Sequence, residues 1–192
     1  MQAFIEPPRK IPLFLRLGIW LSTRITGKPM LVARLLAWYP KAAYGSAVLE
    51  SLVAHHDREI DTRMLKLIRI QASYATACPF CMDMNAFEYE KERITTDEFA
   101  TLQTMAPLDA ISTLNEREKL AIEYTRLISQ TPLMIPLEFV EQLKSIFNDR
   151  EIVILATTAA QVNYWARLCS ALGVPPAGFT TVCEVPSRSL RQ

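Results

Sequence analysis

One stretch limits the architecture more than any other: DREIVILATTAAQVNYWARLCSALGVPP, residues 149–176. Asp149 is a capping residue, Gly173 offers a left-handed terminus, and Pro175 and Pro176 block continuation. The spacing predicts a helix of roughly 23 residues. From Ile152 to Ala160 it is apolar almost all round, and a helix without a polar face is usually buried on every side. In a chain of 192 residues, that predicts a helical core and a subunit interface.

The rest of the chain agrees with helices. No run of five residues alternates cleanly, and no Asn-Gly or Asp-Gly hairpin turn occurs. Five glycines are few for a turn-rich β architecture. Pro29 and Pro40 bracket one short helix, and Pro40 opens the next. Asp61 caps DTRMLKLIRIQASYATA, whose Met64, Ile68, Ala72 and Ala75 fall on one face. A further helix is expected from Pro79 to about Arg93, with Cys78 at its start. Thr96 is expected to cap TTDEFATLQTM. Asn115 and Glu118 form a capping-box pattern, and Pro136 starts the helix before residue 149. The expectation is an all-α protein of about eight helices: an N-terminal helical arm (1–30), a helical domain (31–180) and a tail (181–192).

Charge narrows the partners. Lys plus Arg is 21 and Asp plus Glu is 20, without the basic excess of a nucleic-acid binder. The early apolar run IPLFLRLGIWLSTRIT carries Arg16 and Arg24, so it is too short and too charged to span a bilayer. It reads as a helix packing on the core or on a neighbouring subunit. No secretory pattern opens the sequence, so a cytoplasmic, reducing location is expected.

That setting gives weight to YATACPFCMDMNAFEYEK, residues 74–91, with Cys78 and Cys81 spaced Cys-x-x-Cys. Such a pair serves as a redox dithiol, as half of a metal site or as two buried thiols. At a helix N-terminus, free N–H groups and the helix dipole favour a thiolate, and spacing i, i+3 brings both sulfurs to one side. A zinc site wants a second ligand pair; neither Cys169 with Cys183 nor His55 with His56 has standard spacing. Cys169 and Cys183 read as lone, inert cysteines.

RMLKLIRIQASYATACPFCMDMN, with the later LNEREKLAIEYTRLIS and the 149–175 helix, resembles the carboxymuconolactone decarboxylase family, in particular its alkylhydroperoxidase D (AhpD)-like branch. The resemblance covers about residues 40–176. It implies an all-α homo-oligomer, trimer or hexamer, acting as a thiol-dependent peroxidase on a hydroperoxide. An external thiol or disulfide reductant would complete the cycle, with no metal or cofactor. The family motif places a Glu twelve residues before Cys-x-x-Cys and a His four after it. Carried over, Cys81 is the peroxidatic thiol and Cys78 the resolving one. The Glu position is Lys66 and the His position is Asn85, so both proton-relay groups are replaced. Lys66 would lower a thiol pKa by charge, and Asn85 would donate to a thiolate; the plainer reading makes them a solvated lysine and a satisfied amide. His56 is a candidate relay from the preceding helix corner, beside His55, Glu50 and Glu59. Asp83 and Glu88 are expected to face solvent. Two alternatives stay open: an oligomeric redox-sensing or non-catalytic member, and a decarboxylase of the namesake type.

Overall fold

The computed structural model describes residues 2–52 and 56–180. Among them there are nine α-helices and no strand. They are α1 (Leu13–Thr26), α2 (Leu31–Leu35), α3 (Pro40–Leu52), α4 (Thr62–Ala75) and α5 (Pro79–Ala86). Then come α6 (Thr96–Thr104), α7 (Glu116–Ile128), α8 (Leu137–Ile146) and α9 (Asp149–Ala171). His55 and Cys183 lie outside the described residues. None of the described helices is long and apolar enough to cross a membrane.

Helix α4 is the hub, packing against α5, α6, α7 and α9. Leu65, Leu67, Ile68, Ile70 and Ala72 are all fully buried, a wider burial than the single face expected. Leu67 and Ile70 meet Phe99, Leu102 and Ile122 from α6 and α7. Leu65 and Ile68 meet Leu120, Leu155 and Ala159 from α7 and α9. A third cluster joins α2, α5 and the end of α9 through Val32, Leu35, Phe80 and Ala166.

Three helices start with the same device. Thr95, Asn115 and Asn148 each accept the N–H three residues on, and Glu98, Glu118 and Glu151 each reach back to the capping residue's own N–H. Asn115 is the cap expected. Thr95 replaces Thr96 and Asn148 replaces Asp149, because only the residue three before the glutamate can close the reciprocal pair. Arg63 of α4 gathers two of these glutamates. Its Nε donates to Glu118 Oε1 at 2.6 Å and its Nη2 to Glu98 Oε1 at 2.7 Å. Its Nη1 donates to Glu98 Oε2 at 3.2 Å and to the Arg93 carbonyl.

One further expectation is corrected. Helix α5 stops at Ala86 instead of continuing to Arg93. Glu88 and Arg93 take left-handed backbone angles around a 3-10 turn, Tyr89–Glu92. That break lets the Tyr89 ring stack on Phe99, with centroids 4.2 Å apart. Helix α9 leaves one stripe exposed in this chain, Val153, Thr157, Ala160 and Tyr164. Helix α1 buries none of its residues; Leu13, Phe14, Leu17, Trp20 and Ile25 are all exposed. Phe4 nevertheless ties the N-terminal segment to the core, its N–H donating to the Leu172 carbonyl at 3.0 Å.

Removing Arg63 strands two buried carboxylates. Arg63→Met is expected to cost about 3–5 kcal/mol in urea unfolding. Adding Glu98→Gln and Glu118→Gln is expected to recover part of that loss. Failure to recover any would mean the charges are not the source.

Candidate active site

The site begins where α4 ends. Ala77 takes a left-handed angle, φ 51°, and turns the chain back so that Cys78 becomes the N-cap of α5. The Cys78 N–H donates to the Ser73 carbonyl at 3.3 Å. Its Sγ accepts the Cys81 N–H at 3.2 Å, the place a Ser or Asp oxygen takes in an ordinary cap. Pro79 follows at the first helical position, where no N–H is needed. The Cys78 and Cys81 sulfurs are 2.6 Å apart, and both residues are about 1% exposed.

A third thiol completes the group, correcting the reading of Cys169 as a lone residue. Cys169 of α9 is fully buried and packs in the same cluster as Cys78 and Cys81. The end of α9 holds it there. The Val174 N–H donates to the Cys169 carbonyl at 2.9 Å and the Gly173 N–H to Ser170 at 3.1 Å. This is the paired closure a left-handed Gly173, φ 65°, permits. The spacing held a clue: Gln161, Trp165 and Cys169 recur every four residues and share one face of α9.

These contacts concentrate charge on one sulfur. Bonds from Cys169 and then Cys81 outweigh burial and hold the Cys78 thiol down to about 4. The Cys81 thiol is pushed far up, by its bonds to Cys169 and Cys78 first and by burial next. The bond to Cys78 likewise raises Cys169. Because the same contacts lower Cys78 and raise Cys81, Cys81 is the thiol of the pair that keeps its proton.

The sequence-derived candidates divide. Lys66 Nζ donates to the Phe87 carbonyl at 2.8 Å. Burial, with repulsion from Arg69, lowers its pKa to about 8. Asn85 is buried and its Nδ2 donates to Ser73 Oγ at 2.9 Å, joining α5 to α4. His56 is exposed at the corner before α4. Glu59 bonds Asn148 and Arg150 at that same corner. Glu50 instead faces α9: its carboxylate accepts Trp165 Nε1 at 2.9 Å and Gln161 Nε2, and Trp165 packs against the cysteine cluster. Arg69, lowered by burial, is held up by the Glu50 charge.

Asp83 overturns its expected exposure. It is 1% exposed and its carboxylate accepts four backbone N–H groups, from Ala177, Gly178, Phe179 and Thr180, at 2.8–3.1 Å. Those N–H groups belong to the segment after α9, which crosses beside α5. Phe179 also meets Phe87, with ring centroids 5.6 Å apart.

No family model matches the chain. The uncharacterized protein YnjA of Escherichia coli strain K12 is 24% identical over 187 residues, 96% of this chain and 98% of that protein. Solved structures share the architecture. An uncharacterized peroxidase-related protein with the alkylhydroperoxidase AhpD core, from Ralstonia eutropha JMP134, superposes with TM-score 0.76 at 14% identity, covering 91% of this chain and 92% of its own. The debrominase Bmp8, solved with 2,3,4-tribromopyrrole, gives TM-score 0.74 at 15% identity, over 90% and 91%. The chain has the AhpD-like all-α fold that its sequence resemblance implied.

Two measurements follow. Cys78 alkylation by iodoacetamide is expected to stay at its plateau from neutral pH down toward pH 5, because a lowered pKa keeps the thiolate until pH falls through about 4. Cys169→Ala removes the leading donor and is expected to move that fall upward, whereas Lys66→Met is expected to leave it in place. Asp83→Asn is expected to cost about 2–3 kcal/mol and to speed hydrogen exchange at residues 177–180. Unchanged exchange there would contradict the capping role.

Proposed function

We propose that this protein is a thiol-dependent peroxidase that reduces hydroperoxides through a Cys78–Cys81 dithiol–disulfide cycle. The observation that carries the reading is the pair of sulfurs 2.6 Å apart at the cap of α5. Its thiolate Sγ attacks the distal peroxide oxygen, the O–O bond breaks, and the alkoxide leaves as an alcohol after taking a proton. The resulting sulfenic acid is attacked by the neighbouring sulfur, forming the S–S bond and releasing water. An external dithiol then reopens the disulfide. The family resemblance gives the attack to Cys81; the charge distribution supports Cys78.

No general base is required in this scheme. Lys66 and Asn85, which stand at the family's relay positions, are committed to the Phe87 carbonyl and to Ser73. The thiolate is prepared instead by hydrogen bonds. We extend the proposal to a cytoplasmic homo-oligomer in which the exposed apolar faces of α1 and α9 are covered by other copies.

A second reading is a redox sensor that is oxidised once and turns over slowly. The near-complete burial of all three sulfurs favours it, because an external reductant needs access.

Stopped-flow oxidation by cumene hydroperoxide separates these readings. Cys78→Ser is expected to lose at least about a hundredfold in the rate of the first oxidation, while Cys81→Ser keeps it. The reverse pattern would return the attack to Cys81. No loss in either variant ends the peroxidase reading. Fast single oxidation with negligible turnover in excess dithiothreitol would select the sensor.

A further inference from the structure

We propose that Cys169 is a third redox thiol of this site, so that the disulfide formed on α5 migrates to a bridge between α5 and α9. The proposal deepens the peroxidase reading but rests on the thiol geometry alone. Three free cysteines meet in one cluster, at 1%, 1% and 0% exposure. Cys169 packs with both Cys78 and Cys81 in that cluster. A merely structural cysteine packs as a small hydrophobe among apolar neighbours, whereas this one packs with two further thiols. The α9 terminus is closed by backbone bonds onto the Cys169 and Ser170 carbonyls, so the backbone that carries the third sulfur is fixed beside the pair.

The exchange is balanced. The Cys169 thiolate attacks Cys81 Sγ of the Cys78–Cys81 disulfide. A Cys81–Cys169 bond forms, the Cys78–Cys81 bond breaks, and the proton lost by Cys169 passes to solvent. No electrons are gained or lost overall. Cys78 is the favoured leaving group, because the Cys81 backbone N–H stays aimed at its Sγ at the cap of α5, and a stabilised thiolate departs faster. The product returns Cys78 to the thiolate state and ties the start of α5 to the end of α9. Where Cys81 is missing, Cys169 resolves the Cys78 sulfenic acid directly, with loss of water.

Peptide mapping tests this. Trypsin leaves Cys78 and Cys81 in one peptide and Cys169 in another, together with Cys183, so the work is done in a Cys183→Ser background. One equivalent of hydrogen peroxide, or of diamide in a parallel arm, is given to the folded protein before alkylation. A cross-link between the two peptides is expected in both arms, and Cys81→Ser is expected to make it the dominant product, joining Cys78 to Cys169. A cross-link with diamide but none with peroxide would uphold the third thiol and count against the peroxidase reading. The proposal is overturned if neither oxidant yields the cross-link with Cys81 present. It is equally overturned if the folded Cys81→Ser protein accumulates a dimedone-trapped Cys78 sulfenic acid beside a freely alkylated Cys169.

Discussion

Arg63 is the point on which the architecture turns. A guanidinium is rarely buried without partners, and this one finds two glutamates that are themselves the closing members of capping boxes. The ends of α6 and α7 are therefore fixed relative to α4 by charge as well as by packing. Any shift of α4 would uncouple both boxes and leave buried carboxylates unpaired, which is far costlier than losing a surface pair. Helix α4 is thus held in one position, and it is the C-terminal end of α4 that delivers Cys78.

From that anchor the site is assembled by short-range constraints. The left-handed Ala77 reverses the chain, Ser73 receives the Cys78 N–H and, through its hydroxyl, the Asn85 amide. Both bonds fasten α5 to the last turn of α4. On the opposite side Asp83 gathers four N–H groups of the segment after α9, so α5 is clamped between two elements. The sulfurs are close because the backbone around them has little freedom, and a pre-organised pair loses little entropy when it reacts.

Much of this was legible in the sequence, and the reasons for the failures are local. Periodicity and prolines reveal helices because each is a repeated or steric signal; the Asn115–Glu118 box was readable because both members lie within four residues. The α5 boundary was not, because Tyr89 leaves the helix to stack on Phe99, a partner ten residues away. Asp83 was misjudged for a related cause: its four donors lie more than ninety residues downstream in a loop with no pattern of its own. Cys169 looks isolated in the sequence because its partners are on another helix. The Cys78–Cys81 pair, by contrast, announces itself through spacing alone.

The replacement of the relay residues then has a chemical consequence on the proposed reading. A departing alkoxide needs a proton at the moment the O–O bond breaks. Asn85 has no proton to give at neutral pH, and Lys66 donates to a backbone carbonyl. A thiol proton beside the nucleophile is the one that Cys81 keeps, on a sulfur 2.6 Å from Cys78. Surrendering it serves two steps together: the leaving group is neutralised, and Cys81 becomes the thiolate that attacks the new sulfenic acid. While Cys78 carries its charge, Cys81 is held protonated. Once that charge is spent on oxygen, the bond and the repulsion that kept the proton on Cys81 vanish. A dithiol of this geometry couples attack to resolution without a separate base.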